Sequence, residues 1–361
     1  ITSLIGICAF NTILITIFSA PSILYLSRKK NELAGLCLAI LVSFSLYLYG
    51  NIKVNNFKNL QVKLLPLEIK VLSTNISIER FYSNFDNEEI LKKLINLSNP
   101  RAQDNTIFIW PEGIIPGVNL TSLKYEFDYL FKNSFSKNHK IILGVNNDEI
   151  EKEKKIFYNS LSLIDNHANI IHKYYKNKLV PFGEFLPFEN ILSKIGLKTL
   201  TNNYQSYSAS LKREPFNVFL EPEIRILPLI CYEIIYSGNL SKDYNYNFIV
   251  NISEDGWFGN SIGPYQHFVN SKFRAIEEGK QLIRVANTGI SASIDPFGRV
   301  LNQLPLNNSG YLDTKIFVGN KNNKVLETIY NKYKNNLIIC LLIILFLTLC
   351  TLKYNQKNNL N

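Results

Sequence analysis

The sequence of 361 residues contains no methionine and only five cysteines, and both shortages limit what the chain can be. Because methionine is missing even at position 1, we expect the chain to be a fragment that has lost its start and any upstream membrane spans. Cys8, Cys37, Cys340 and Cys350 lie in long apolar stretches near the two ends. Cys231 is therefore the one thiol of the polar middle, where it has no partner for a disulfide or a Cys-x-x-Cys metal site.

Histidine is also scarce, and the four residues present do not have the spacing of metal ligands. They are His139, His167, His172 and His267. The chain also lacks a basic stripe interleaved with aromatic residues, the usual mark of a nucleic-acid surface, although its net charge is +10. We therefore predict no metal, no cofactor and no nucleic-acid partner, and we attribute the positive charge to attraction toward anionic lipid headgroups.

Long apolar runs are present, and they predict membrane spans. Residues 1–26 carry no charge, residues 34–50 form a second and shorter run, and residues 337–352 form a third. A helix of about 20 residues crosses a hydrocarbon core. A signal peptide is the competing interpretation of the first run. We prefer a span, because the basic residues follow that run and no small-residue cleavage site leads into a polar domain.

Basic residues beside the apolar runs predict how the chain is oriented. Three of them lie in "SRKKNE" (residues 27–32), between the first two runs, while Lys353 and Lys357 follow the third. Short cytoplasmic segments carry an excess of lysine and arginine, so the polar middle is expected on the outer face. The predicted organisation is membrane helices at residues 1–50, a polar domain at 51–335, and a membrane helix with a short tail at 336–361.

The polar domain has the pattern of an α/β fold. Residues 67–76 and 105–110 are typical of strands, and residues 87–98 of an amphipathic helix with apolar positions three and four residues apart. The later patterns predict a helix at 123–135, a strand at 140–145, a hairpin at 157–176, strands at 224–231 and 246–253, a helix at 265–280 and a hairpin at 289–301.

Three of these strand-like runs end in an ionisable side chain. "IFIWPE" ends in Glu112, "IIHKYYK" in Lys176 and "IRILPLIC" in Cys231. Strands fix such groups rigidly while loops admit a substrate. Each residue also has a simpler explanation. A lone cysteine is usually buried packing, a glutamate after Trp-Pro can belong to a turn, and a lysine is usually solvated.

The combination of Glu112, Lys176 and Cys231 suits nucleophilic catalysis. A thiol with a pKa of about 8.5 is scarcely ionised at neutral pH, so it needs a base or a cationic neighbour. Glu112 could be that base. Lys176 could be that neighbour, or it could stabilise the oxyanion of a tetrahedral intermediate.

A serine nucleophile is a rival hypothesis. "GNSIG" (residues 259–263) matches Gly-x-Ser-x-Gly with Ser261 as the candidate, but that motif needs a strand before it and partners in the order Ser, Asp, His. Polar "SEDG" precedes it, Pro264 follows it, and no histidine occurs after His267. We therefore discount it.

Several segments resemble one known family. "WPEG", "YYKNKLVPFGEFLPF", "ICYE" and "DGWFGNSIGPYQHFVNSKFRAIEEGKQLIRVANTG" are similar to the apolipoprotein N-acyltransferases, a membrane branch of the nitrilase (carbon-nitrogen hydrolase) superfamily. The resemblance covers nearly all of residues 67–335. It implies a nitrilase-like α-β-β-α sandwich domain flanked by transmembrane helices.

The resemblance also implies roles for particular residues. Glu112 would be the general base, Lys176 the oxyanion-stabilising cation and Cys231 the nucleophile. The supporting or substrate-contacting residues implied by the matched motifs are Glu184, Tyr232, Glu233, Trp110 and Trp257. For Trp257, contact with the membrane interface or an acyl chain and simple packing are equally open interpretations.

The activity implied by the resemblance is transfer of a fatty acyl group from a phospholipid, through a thioester on Cys231, to the N-terminal α-amine of a lipid-modified apolipoprotein. The implied setting is the outer, periplasmic face of a bacterial inner membrane, and a monomer is expected. A membrane-tethered nitrilase-type amidase would share the same three residues. A lipid- or lipoprotein-binding protein on a decayed enzyme fold is a third, non-catalytic alternative.

The chain departs from the family pattern at a few positions. Glu254 and Gly256 stand where asparagine and alanine are commoner, and Tyr265 takes the place of a tryptophan. Ser77 and Phe81 lie where the family usually has a proline and then a tryptophan. The change at Ser77 and Phe81 concerns contacts with the substrate. None of these changes removes a predicted catalytic group.

Overall fold

The computed structural model describes residues 1–27, 30–58, 63–83, 85–151, 153–188, 207–219, 223–318 and 328–358. Its α-helices are α1 (Thr2–Ser27), α2 (Lys30–Lys58), α3 (Asn87–Ser98), α4 (Leu120–Ser134), α5 (Gly263–Glu278), α6 (Ile329–Tyr333) and α7 (Asn336–Asn358). Its strands are β1 (Lys63–Leu64), β2 (Glu68–Ser73), β3 (Thr106–Ile109), β4 (His139–Glu151), β5 (Lys154–Ile164), β6 (Ile170–Tyr175), β7 (Phe216–Phe219), β8 (Ile224–Ile230), β9 (Phe248–Glu254), β10 (Gln281–Asn287), β11 (Ser291–Ile294), β12 (Val300–Leu304), β13 (Gly310–Thr314) and β14 (Phe317–Val318).

Two six-stranded sheets of similar design form the domain. One has the strand order β13-β2-β3-β4-β5-β6, and the other β12-β11-β10-β9-β8-β7. In each sheet three neighbouring strands run parallel, β2 with β3 and β4 in the first and β8 with β9 and β10 in the second. Antiparallel strands complete both edges. The parallel strands β3, β9 and β10 are buried along their whole length, as expected for strands covered on both faces.

The two sheets pack face to face through branched aliphatic side chains. Val71 and Ile109 of one sheet belong to the same buried cluster as Ile226, Val250 and Ile283 of the other. On the outer faces, α3 and α4 cover the first sheet and α5 covers the second. The layers therefore run helix, sheet, sheet, helix, and the predicted α-β-β-α sandwich is confirmed.

Local signals in the sequence explain where the covering helices begin and end. The Asp86 carboxylate caps α3 by accepting the backbone N–H groups of Glu88 and Glu89. Asn99, at φ 40°, ends the same helix in the left-handed conformation that asparagine tolerates. Helix α5 ends at Gly279 (φ 63°), where any other residue would be strained. These stops hold each helix over the apolar face of its sheet.

Helices α1 and α2 are apolar and long enough to span a membrane. The candidate spans are Thr2–Ser22 and Leu33–Asn55, and neither is packed inside the protein. Large apolar side chains on them are exposed, Phe18 to 78% and Phe44 to 61%. Helix α2 continues to Lys58, beyond the predicted second run. Helix α7 covers the third predicted run, and a membrane span there stays a prediction.

Helix α1 is kinked near its start, where it contacts the domain. Gly6 adopts φ 75°, and any side chain there would collide with the ring of Tyr330. Just after the kink, the N–H of Ile7 donates to Glu277 of α5 at 2.7 Å. The contact joins a candidate membrane span to the helix that covers the second sheet.

Candidate active site

The ends of β3, β6 and β8 bring the three predicted catalytic side chains to one cavity. Lys176 and Cys231 are the first residues after β6 and β8, and Glu112 follows β3 by way of Trp110 and Pro111. The cavity has a volume of about 510 Å³. The residues that line it are Phe81, Tyr82, Glu112, Gly113, Asn146, Asn159, Lys176, Val180, Phe182, Gly183, Glu184, Tyr207, Cys231, Tyr232, Glu254, Trp257, Phe258 and His267.

Close backbone packing fixes the position of Glu112. The chain after β3 continues beside β4, since Gly144 donates its N–H to the carbonyl of Pro111 at 3.2 Å. A Cβ at Gly144 would collide with the Cα of Glu112 and with Ile252 of the opposite sheet. Only glycine therefore allows β4 to support Glu112 at this distance.

Lys176 lies between two carboxylates. Its Nζ is 3.3 Å from Glu112 Oε1 and 2.9 Å from Glu184 Oε1. Asn159 of β5 donates its side-chain N–H groups to the same two oxygens, at 2.8 and 2.7 Å. The other oxygen of Glu112 accepts the backbone N–H of Glu254 at 3.0 Å. The four side chains thus form a connected polar network on one wall of the cavity.

The network keeps Lys176 protonated. Burial alone would lower its pKa, but the carboxylates of Glu112 and Glu184 outweigh burial, so the pKa lies well above the ordinary lysine value. The side chain is 1% exposed. A permanent positive charge in a dry setting can stabilise an oxyanion more strongly than the same charge in water.

Cys231 has the backbone of a strained turn. It lies at φ 48°, a region that residues other than glycine rarely adopt, between β8 and a short 3-10 helix. Burial raises the pKa of its thiol far above the usual range, and the Glu112 charge raises it further, while Lys176 acts in the opposite direction. The resting group is therefore a thiol, and it needs a base to become a nucleophile.

Because the Glu112 charge disfavours the thiolate, we expect Glu112→Gln to ease ionisation of Cys231 even though it removes the base. Alkylation by iodoacetamide, followed by peptide mass spectrometry of the Cys231 peptide against pH, measures this directly. The midpoint of the profile should move to lower pH in the variant. A midpoint that stays fixed would show that the Glu112 charge does not act on the thiol, and a midpoint that rises would show that it favours the thiolate; either result contradicts the expectation.

Glu233 lies behind the cavity wall and connects two parts of the site. It is fully buried. Its carboxylate accepts the backbone N–H of Ile230 at 2.8 Å, just before Cys231, and the N–H groups of Asn177 and Lys178 at 2.8 and 3.0 Å, just after Lys176. Arg213 donates to it at 2.6 Å. Glu233 therefore positions both the cysteine turn and the lysine turn without lining the cavity.

We expect Glu233→Gln to reduce the free energy of unfolding by about 3–5 kcal/mol, because it leaves the Arg213 charge buried without its partner. A denaturant titration followed by tryptophan fluorescence would measure the loss. The double variant Arg213→Leu, Glu233→Gln is the matched control and should recover part of it. A loss below about 1 kcal/mol in the single variant would contradict this account.

Aromatic side chains surround the mouth of the cavity. Trp257 is 55% exposed and stacks on Phe81 with ring centroids 5.3 Å apart, and Tyr82 meets it edge-on at 6.4 Å. Phe182, which also lines the cavity, is 58% exposed. Tyr232, next to the cysteine, also lines the cavity. The mouth is thus apolar and accessible, and it leads to a charged interior.

Trp110 lies elsewhere. Its ring is fully buried among the side chains under α3 and α4, with Phe131 at 5.9 Å, and its indole N–H donates to Ser98 at 3.1 Å. It is not among the side chains that line the cavity. Trp110 can therefore support the Glu112 turn by packing beneath it. It does not lie where it could contact a substrate in the cavity.

The sequence analysis missed a buried ion pair beside the site. Arg80 donates to Glu254, and the same arginine donates to the carbonyl of Gly113 at 3.3 Å. Burial raises the pKa of Glu254, although Arg80 opposes this shift. The unusual glutamate at position 254 could have drawn attention to this part of the site. Its partner Arg80 is too distant in sequence for the pair to be recognised without the fold.

The rival nucleophile Ser261 has no catalytic setting. Its hydroxyl accepts the backbone N–H of Gly263 at 3.0 Å in the exposed loop before α5. His267, the histidine that could have served it, instead faces Asp255 and the carbonyl of Cys231. The serine hydrolase hypothesis is therefore not supported by this geometry.

Comparison with known proteins agrees with the fold. The sequence profile of the carbon-nitrogen hydrolase family matches residues 73–319. The chain belongs to the carbon-nitrogen hydrolase family. The match includes the three residues that converge on the cavity, and the superfamily assignment made from the motifs is confirmed.

Relatives within the family bear a more specific name. A protein of Rhodopseudomonas palustris called apolipoprotein N-acyltransferase is 31% identical over 335 residues, covering 86% of this chain and 60% of that protein. One of the same name from Bradyrhizobium diazoefficiens is 33% identical over 331 residues, covering 87% and 60%. The chain thus spans less than two thirds of the length of these relatives.

A solved structure supports the fold alone. A branch 10 member of the nitrilase superfamily from Saccharomyces cerevisiae is 14% identical, with a TM-score of 0.50. The superposition covers 74% of this chain and 94% of the yeast protein. The sandwich of this chain is accordingly a carbon-nitrogen hydrolase fold with apolar helices added in front of it.

Proposed function

We propose that the chain is an N-acyltransferase. In this proposal it moves a fatty acyl group from a membrane phospholipid to the N-terminal α-amine of the diacylglyceryl-cysteine of apolipoproteins. The names of relatives at 31% and 33% identity support it. So do the two apolar helices that precede the domain, because both substrates are held in a membrane.

One observation carries the proposal. A buried Glu112–Lys176 pair and a partly accessible Cys231 line a cavity whose mouth is ringed by exposed aromatic side chains. A small polar amide has little apolar surface to bury against such a mouth. Burial of apolar surface is favoured at about 25 cal/mol per Å², so an acyl chain of a phospholipid gains free energy by entering it.

The first step would form a thioester. Glu112 takes the proton of the Cys231 thiol as the sulfur attacks the ester carbonyl of the phospholipid, and Lys176 stabilises the oxyanion that results. The carbon–oxygen bond to glycerol then breaks. Glu112 returns the proton to the leaving oxygen, which gives a lysophospholipid and an acylated Cys231.

The second step would transfer the acyl group. The α-amine of the lipoprotein attacks the thioester carbonyl, and Glu112 accepts a proton from the amine. The carbon–sulfur bond then breaks as Glu112 passes that proton to the sulfur, which leaves an amide on the lipoprotein and restores the Cys231 thiol. Water would compete for the same thioester, so the site has to exclude it until the acceptor arrives. The apolar, aromatic mouth would serve that purpose.

The proposal places the domain on the periplasmic face of a bacterial inner membrane, acting as a monomer. The basic segment between the first two apolar runs supports this orientation by the positive-inside rule. The contact of Ile7 with Glu277 would hold the domain against the membrane surface, where both substrates are found.

Product analysis tests the proposal against the tethered amidase. The protein is incubated in detergent with phospholipid and a synthetic diacylated lipopeptide, and separately with small aliphatic amides. We expect a fatty-acyl mass increment on the lipopeptide, lost when its α-amine is acetylated beforehand. Ammonia release from the amides without acylation of the lipopeptide would establish the amidase instead.

A further inference from the structure

A second group of polar side chains, separate from the Glu112 network, lies on the other side of Cys231. His267, in α5, is 5% exposed and lines the same cavity. Its Nε2 lies 3.1 Å from the carbonyl oxygen of Cys231. The contact reaches from the helix that covers the second sheet to the backbone of the nucleophile.

The direction of this hydrogen bond follows from its partners. A carbonyl oxygen can only accept, so Nε2 carries the proton and donates it. Burial lowers the pKa of His267, and the nearby Arg284 charge lowers it further, while the hydrogen bonds to Asp255 and to the Cys231 carbonyl oppose the shift. Nδ1 lies 3.1 Å from Nη2 of Arg284.

Other buried groups hold the ring in place. Asp255 lies 2.9 Å from His267 Nδ1 and forms an ion pair with Arg284, at 2.7 Å. Arg284 also donates to Asn251 at 2.6 Å. Asp255 and Arg284 are both at most 1% exposed, so neither can bind a substrate directly. They can act on Cys231 through His267, and also through Asn251, whose side-chain N–H donates to the Cys231 carbonyl at 3.5 Å.

Cys231 is a residue that needs such a restraint. Its φ of 48° is held against a backbone preference, and strained residues of this kind persist only when their surroundings fix them. Glu233 restrains the turn on one side through the N–H of Ile230. The carbonyl of Cys231 is on the other side. Since a peptide unit is planar, fixing that carbonyl also fixes the N–H of Tyr232.

We propose that His267 is a positioning residue that holds the Cys231 peptide unit in its strained conformation, with Asp255 and Arg284 orienting the imidazole. The inference rests on the proposed role of Cys231 as nucleophile. It assigns to His267 no proton transfer with substrate. A displacement of the sulfur by about 1 Å can cost about a hundredfold in rate, so loss of this bond should slow acylation strongly.

Two amide variants separate the contacts of His267. The side-chain nitrogen of glutamine can occupy the place of Nε2, and that of asparagine the place of Nδ1. His267→Gln therefore retains a donor to the Cys231 carbonyl, whereas His267→Asn can reach only toward Asp255. The measurement is the single-turnover rate of thioester formation from phospholipid, with its half-saturating concentration and the thermal midpoint of each protein.

We expect His267→Gln to acylate within about threefold of the parent and His267→Asn about a hundredfold more slowly, with half-saturating phospholipid unchanged. Equal rates in the parent and the asparagine variant would overturn the inference. So would an equally large loss in both variants. If the asparagine variant does not fold, the glutamine variant alone decides, because a large loss there contradicts a positioning role.

Alkylation of Cys231 by iodoacetamide distinguishes this inference from the proposed function. If the parent forms no thioester, the proposed function fails. The order of alkylation rates, parent and His267→Gln above His267→Asn, still tests the positioning role without a phospholipid. Equal alkylation of all three proteins would refute it.

Discussion

Replacing Cys231 with serine is expected to abolish acyl transfer while leaving the fold unchanged. A serine hydroxyl is far harder to ionise than a thiol, and the carboxylate of Glu112 that suffices for the thiol would not suffice for it. Removal of a covalent nucleophile typically costs at least about four orders of magnitude in rate. Transfer to a diacylated lipopeptide, followed by mass spectrometry, measures the loss.

The fold should tolerate this substitution. Serine is close to cysteine in volume, and Cys231 lies at the margin of the core between the sheets, where the cavity is adjacent. Cys37→Ser, in α2, is the matched control, because it removes an exposed thiol of a candidate membrane span. Full activity in Cys37→Ser and none in Cys231→Ser, with equal thermal midpoints, is the expected pair of results. Residual transfer at the parent rate in Cys231→Ser would remove the cysteine from the mechanism.

Replacing Lys176 with methionine is expected to cost both activity and stability. Loss of an oxyanion-stabilising donor lowers a rate by about 10²–10³-fold. The same change leaves the carboxylates of the buried Glu112 and the partly buried Glu184 without their shared cation, which costs about 3–5 kcal/mol of the free energy of unfolding. Single-turnover acylation and a denaturant titration measure the two effects separately.

A double variant divides these effects. Lys176→Met with Glu184→Gln removes the cation and one of the two carboxylates, so that Glu112 keeps its bonds from Asn159 and from the Glu254 backbone. We expect most of the stability to return and none of the activity. If acylation recovers together with stability, Lys176 is a structural cation and the oxyanion is stabilised by another group.

The sequence predicted the three side chains proposed to be catalytic because each follows a continuous apolar run. A buried strand ending in an ionisable residue is visible without a structure, and it identified Glu112, Lys176 and Cys231. The alternation of helices and strands likewise predicted an α/β domain, and the resemblance to the nitrilase superfamily predicted its sandwich layers. Strands β7 and β13 were missed, since they are short edge strands without a long apolar run.

Residues that act through tertiary contacts were harder to recognise. Asn159 sits within β5 as one polar position among several, and only the fold shows that it points at both carboxylates. His267 was weighed only as a metal ligand, because its bond to a backbone carbonyl has no sequence signal. Trp110 belongs to a matched motif, so it was predicted to support the site or contact substrate. Which face of the sheet its side chain occupies, and hence whether it reaches the cavity, could not be read from the motif.

The most direct test of the account is to follow one acyl group through the enzyme. Phospholipid labelled in its acyl chain is mixed with the protein, excess lipid is removed, and the label is located by peptide mass spectrometry before and after addition of a diacylated lipopeptide. The account predicts a hydroxylamine-sensitive label on the Cys231 peptide that moves to the α-amine of the lipopeptide. Label that never resides on Cys231, or that leaves it only to water, would contradict the account.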